Sequence, residues 1–225
     1  MSEMRGIKFI DIVSGASKHT ADDWDLIMSE KVIGNPPPRY HLVDMPDRDG
    51  DLDQTEVIRG RVSYKNRALS FTFICTAAHA TWADLRAEIA GFVHGKRLKI
   101  VDPDTPNHYY IGRCELQEPT YKGEAIMFLT VTADVHPYRL SNDETTVSRS
   151  VSAGSTVSLT NDIMPVVPTI TVSTNMTIKF GSFSSSLASG STYRIPEITL
   201  ENGTNTITIT AGSGTITFTY RQGAI

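Results

Sequence analysis

Two stretches near the end of this 225-residue chain alternate between apolar and polar side chains. Thr206-Ile207-Thr208-Ile209-Thr210 and Thr215-Ile216-Thr217-Phe218-Thr219-Tyr220 each place Ile, Phe or Tyr on one face of a strand and Thr on the other. Threonine on the wet face still favours strand, because its branched Cβ suits the pleat. The linking Ala211-Gly212-Ser213-Gly214 predicts a half-buried antiparallel hairpin. Further strands are predicted at 155–160, 166–173, 176–181, 191–195 and 197–201. Asn202-Gly203 marks a reversal, since both residues tolerate positive φ. Short strands at this spacing predict a β-sandwich.

The preceding part of the chain reads as strand with one helix. Strands are predicted at Lys8–Val13, Tyr40–Asp44, Glu56–Tyr64, Ala68–Cys75, Lys96–Val101, Tyr109–Glu115 and Ala125–Val135. Between Thr81 and Gly95, Trp82, Leu85, Ile89 and Phe92 recur at helical spacing and form one apolar stripe. Thr81 with Asp84 has the spacing of a capping box, and Gly95 fits the position just past the helix end. One amphipathic helix on an antiparallel sheet is an α+β domain, so the fold class is mainly β. Gly34-Asn35-Pro36-Pro37-Pro38 must be an extended loop with few internal hydrogen bonds.

Composition divides the chain near residue 140. Of residues 141–225, 31 are Ser or Thr and only 9 are charged, whereas all six His, both Trp and both Cys precede that point. Two domains follow, 1–140 and 141–225, joined through His136-Pro137-Tyr138-Arg139-Leu140-Ser141-Asn142-Asp143. The net charge of −4 and pI of about 5.8 offer no basic excess for phosphates, which argues against nucleic acid or an anionic membrane as the main partner. No run approaches the length of a membrane-spanning helix, and Met1–Gly6 lacks the apolar core of a secretory signal.

Candidate chemistry is sparse. Cys75 and Cys114 read as two buried thiols. In the acidic run Asp47-Arg48-Asp49-Gly50-Asp51-Leu52-Asp53, a calcium loop counted from Asp47 would need Gly at position 6 and Glu at position 12; the chain has Leu52 and Ile58 there, so the run reads as a solvated turn at Gly50. His19, His41, His79, His94, His108 and His136 show no metal-binding spacing, and the helix dipole accounts for His94. No nucleophile elbow, phosphate loop or dinucleotide fingerprint occurs. No catalytic residue, cofactor or metal site is assigned, and the reading is non-enzymatic. A carbohydrate-binding or adhesin module is the alternative for residues 141–225. Against it, Phe218 and Tyr220 share the face of Ile216, which suits core packing better than a stacking platform.

Several segments in order resemble the distal tail protein family of long-tailed, non-contractile phages. Met45–Asp53 resembles the family's Pro…Arg-Asp-Gly…Leu-Asp loop, and Tyr64-Lys65-Asn66-Arg67-Ala68-Leu69-Ser70-Phe71-Thr72-Phe73 its Tyr-x-Asn-Arg strand pair. Phe92–Ile100 is similar to its helix followed by a Gly-Lys strand start, Asp104…Tyr109-Tyr110-Ile111-Gly112-Arg113 to its next strand, and His136-Pro137-Tyr138 to the motif closing its first domain. Glu201–Ile207 and Ile216–Arg221 resemble its terminal hairpin.

The resemblance implies a structural virion protein: a ring of six copies that joins the tail tube to the host-recognition tip or baseplate, with DNA only passing through the channel. The first domain would make the ring and the second, a galectin-like sandwich, would point outward. The implied place is the virion, after synthesis in the host cytoplasm. The Gly34–Asp53 region is the candidate arm on a neighbouring subunit, carried by Asn35, Pro36, Pro37, Pro38, Arg39, Arg48, Asp49, Asp51 and Asp53. The Ser/Thr-rich, charge-poor second domain departs from the family pattern.

Overall fold

In the computed structural model, residues 6–47 and 49–225 are described; Arg48 of the candidate arm lies outside them. The chain is 51% strand and 7% helix, mainly β. It falls into two units that divide between Arg139 and Leu140.

The first unit is built on an antiparallel sheet. Its strands are β1 (Lys8–Asp11), β2 (Ser17–His19), β3 (Ile27–Ile33), β4 (Arg67–Cys75), β5 (Arg97–Val101), β6 (His108–Leu116), β7 (Thr120–Lys122) and β8 (Ile126–Val135). The order is β2-β1-β5-β6-β8-β4-β3, with β7 paired to β8. Alternation sends Leu69, Phe71, Phe73 and Cys75 of β4 inward, beside Met127, Leu129, Val131, Ala133 and Val135 of β8. Helix α1 (Trp82–Val93) adds Trp82, Ile89 and Val93 to the same core. Full burial of a side chain such as Phe71 contributes about 2–3 kcal/mol, so this layer holds the unit together.

Several expectations change here. The capping box is not made: Thr81 lies in a short 3-10 turn, and its hydroxyl donates to the Ala78 carbonyl at 2.8 Å. Gly95 does take the left-handed conformation, φ +72°, but its N–H goes to the Cys114 carbonyl rather than back into the helix. Val93, not Phe92, is the deepest residue of the last turn; Phe92 is partly buried and meets Trp24 edge-to-face at 5.9 Å. Lys8–Val13 ends at Asp11, whose carboxylate accepts the N–H groups of Val13 and Ser14 and turns the chain. Of Glu56–Tyr64 only Ser63–Tyr64 is strand, because the Gly60 N–H closes a turn on the Glu56 carbonyl at 2.7 Å. Tyr40–Asp44 shortens to Leu42–Val43. Strand β3 was not expected; a bulge between Met28 and Glu30 breaks the alternation that would announce it.

The second unit consists of two four-stranded antiparallel sheets. β9 (Thr145–Ser152), β11 (Thr169–Val172), β14 (Thr192–Tyr193) and β16 (Ser213–Tyr220) make one, in the order β9-β16-β11-β14. β10 (Thr156–Asn161), β12 (Met176–Phe180), β13 (Phe183–Leu187) and β15 (Gly203–Ala211) make the other, in the order β10-β15-β12-β13. Their inner faces share one core that includes Leu159, Ile170, Ile178, Ile207, Ile209, Ile216 and Phe218.

The expected hairpin is absent. β15 and β16 follow each other in sequence but do not pair; each enters a different sheet. Gly212 makes the crossing at φ +92°, where a Cβ would stand 2.5 Å from the Asn175 carbonyl oxygen. The segment 197–201 forms only a single bridge, Leu200 with Val166. β9 was not expected, since Val147 and Val151 are the only apolar residues in its eight.

Candidate functional site

The chain leaves β3 at Gly34 and returns to β4 at Arg67 through an arm held by two short ladders. At its root Pro38 faces Tyr64 and Arg39 faces Ser63, the Lys65 N–H donates to the Pro37 carbonyl at 2.8 Å, and Arg39 Nε donates to the Tyr64 carbonyl at 3.3 Å. Further out Leu42 faces Asp53 and Val43 faces Leu52. His41 joins the two strands: its N–H donates to Thr55 Oγ1 at 3.0 Å and its carbonyl accepts the Gln54 N–H at 2.8 Å. The acidic turn closes the outer ladder, with positive φ at Asp47 and Gly50.

The candidate arm residues are therefore split between the two ladders. Asn35, Pro37 and Arg39 are exposed at the root, Pro38 is half-buried, and Pro36 is buried there. Asp49 and Asp51 are exposed on the turn, while the Asp53 carboxylate accepts the Thr55 N–H at 2.9 Å. The Thr55 hydroxyl and N–H hold the Asp53 carboxyl below the usual aspartate range.

Sequence reasoning missed the apolar residues of this arm. Tyr40, Leu42, Met45, Val57 and Ile58 are all exposed, and Val57 and Ile58 keep 74% and 88% of their surface in water. Five of the exposed large apolar side chains thus gather on the segment that joins β3 to β4. The only signal in the sequence was the β-branched pair Val57-Ile58 between Glu56 and Arg59, which reads equally well as strand.

A groove of about 670 Å³ opens on the exposed face of the first unit's sheet, over β5, β6 and β8. Arg97 and Arg113 line it as directly opposed partners in the β5–β6 register. Asp134, Glu115, Thr132, Asn66 and His136 complete its polar lining. Asn66 Nδ2 donates to Asp134 at 2.9 Å, and Arg113 donates to the Gly95 carbonyl. Burial holds the His136 imidazole below its ordinary pKa, and the Arg97 charge pushes the same way, against a hydrogen bond to the Tyr138 backbone carbonyl.

The remaining candidates serve the fold. Cys75 and Cys114 are free thiols buried in the core, and desolvation pushes Cys114 up to about 12. His94 Nδ1 accepts the Leu116 N–H at 3.2 Å, so the ring ties the helix end to β6. His79 packs edge-on against Trp82 at 4.7 Å. Among the described residues no three His, Cys, Asp or Glu side chains gather as metal ligands, and no helix is long and apolar enough to cross a membrane. Phe218 is fully buried and Tyr220 nearly so, beside Ile216, in the core of the second unit.

No family model matches the chain, and no curated protein matches it. Among solved structures, it is similar to the crystal structure of the phage SPP1 Dit (gp 19.1) protein, a paradigm of the hub adsorption apparatus in phages that infect Gram-positive bacteria. The TM-score is 0.64 at 16% sequence identity, over 96% of this chain and 98% of that one. The likeness embraces both units, so what this chain shares with a siphophage distal tail hub protein, the family its motifs resemble, is the fold across nearly its whole length.

Proposed function

We propose that this protein is a non-enzymatic structural component of a phage tail, a hub at the distal end that joins the tail tube to the host-recognition tip or baseplate. The observation that carries the reading is the shared fold with the SPP1 hub protein over both units and nearly the full length of both chains. In this reading six copies close into a ring through the first unit, and DNA passes along its channel without being gripped, which the net charge of −4 suits. The second unit offers the docking surface for tip proteins. The protein is made in the host cytoplasm and resides in the virion.

The arm between Gly34 and Arg67 is the intersubunit element. Its exposed apolar residues favour burial against a neighbouring copy, and its polar ones set register. Since Pro36 is buried at the root, cutting the arm there would disturb the unit that bears it; the tip is the place to intervene.

Negative-stain microscopy of the purified full chain at high concentration, alone and with the tail tube protein, tests the reading. Six-fold rings are the expected result. A closed oligomer of another symmetry overturns it.

A further inference from the structure

Arg97 and Arg113 form an unusual cross-strand pair. Directly opposed residues of an antiparallel ladder send their side chains to the same face with Cβ atoms about 5 Å apart, and like charges placed so are destabilising. Neither arginine is within ion-pair distance of a carboxylate among the described residues. The nearby acids make no ion-pair contact with them: Asp134, opposed to Arg113 on the other side, takes the Asn66 amide, and Glu115 lies two residues along β6. Arg113 spends one N–H on the Gly95 carbonyl, and Arg97 makes no hydrogen bond among the described residues. Among the described residues no carboxylate bridges the pair.

The same molecule carries that anion elsewhere. The acidic turn holds four Asp against one Arg in seven residues. The Asp47, Asp49 and Asp51 carboxylates are exposed and engage no group among the described residues. Two ladders hold the strands that flank the turn before any partner arrives, which lowers the ordering cost of binding. No residue of the arm between Pro36 and Lys65 lines the groove of its own chain.

We propose that the acidic turn of one copy seats in the sheet-face groove of the next copy, its Asp49 and Asp51 carboxylates bridging Arg97 and Arg113. Two different patches of one chain that fit each other make a head-to-tail contact, which repeats around a closed ring. Arginine suits the role because its guanidinium takes a carboxylate bidentately. The contact rests on the ring reading above and gives it a specific joint.

Charge reversal tests the joint. Association of the full chain is measured by sedimentation velocity for the wild type, for Asp49→Lys with Asp51→Lys, for Arg97→Glu with Arg113→Glu, and for all four together. Each pair is expected to weaken association about tenfold or more, and the four together to restore it. As a second readout, Asp51→Cys and Arg97→Cys chains are mixed under oxidising conditions; a 51–97 disulfide between copies is expected, with Lys179→Cys, exposed on the second unit, as the control. Association unaffected by either reversed pair, or no 51–97 disulfide above the control, overturns the joint while six-fold rings leave the ring reading standing. A 51–97 disulfide in particles that lack six-fold symmetry keeps the joint and overturns the ring.

Discussion

The Tyr220 hydroxyl donates to the Thr160 carbonyl at 2.6 Å, from β16 in one sheet of the second unit to β10 in the other. This bond crosses the shared core and pins the two layers together. Gln222 Nε2 also reaches the Thr160 carbonyl, at 3.0 Å, so removing the hydroxyl does not orphan the acceptor. Tyr220→Phe should therefore cost about 1 kcal/mol in urea unfolding. Burial raises the Tyr220 pKa above the usual phenol value. A raised pKa in the folded state contributes stability below pH 10 that is lost as pH climbs past it, and Tyr220→Phe should lose less stability in that range than the wild type.

Lys31 on β3 reaches both carboxylate oxygens of Asp102, at 2.9 and 3.0 Å, and also contacts Asp104. Asp102 is nearly fully buried, so Lys31→Met strands a charge in the core. The expected loss is about 3 kcal/mol in denaturant unfolding. Burial opposes the Lys31 charge, but the hydrogen bonds and charges of Asp104 and Asp102 outweigh it and raise its pKa. The wild type keeps that stabilisation below pH 10.5 and loses it as pH rises above, whereas Lys31→Met should show a flatter profile there.

Gly112 sits in β6 where a Cβ would lie 2.1 Å from the Asp134 carbonyl oxygen and 2.5 Å from Val135 Cα. Both contacts are backbone and cannot move aside without opening the β6–β8 ladder. Gly112→Ala should cost about 3 kcal/mol or more, measured by urea unfolding, and Cys114→Ala, two residues on, should be milder.

Both thiols are sealed in the first unit's core, and the thiolate of Cys114 is disfavoured up to about pH 12. Native protein should take up no thiol reagent at pH 8, and unfolded protein should take up two equivalents. Rapid labelling of the native state would show that the β4–β8–β6 layer opens more readily than its burial implies.

Val57→Asp with Ile58→Asp tests the apolar part of the arm, between its two ladders. Both side chains are exposed, so unfolding should shift by no more than about 0.5 kcal/mol. Assembly into rings should be lost. Normal rings from this variant would remove that stretch from the interface.

Part of this architecture was legible because the side-chain period alone reports it. β10, β15 and β16 announce themselves by strict alternation, and the α1 stripe by its spacing. β3 was hidden: its bulge shifts the register, and Lys31 occupies an inward position that only the buried Asp102 makes tolerable. The arm read correctly as proline-rich and turn-forming, yet Val57 and Ile58 read as strand, because a β-branched run does not disclose that no neighbour exists to pair with it. The opposition of Arg97 to Arg113 had no trace in the chain order either, being a product of strand register.

Local chemistry along the chain was enough to determine that this protein is mostly strand, with one helix and a change of composition near residue 140. Each of those properties depends on neighbours within a few positions. Which strands pair was decided only in three dimensions: β15 and β16 look like a hairpin, but each joins a different sheet, and the chain crosses between them at Gly212, close against Asn175. Pairing and exposure belong to segments brought together from afar, and no local pattern encodes them.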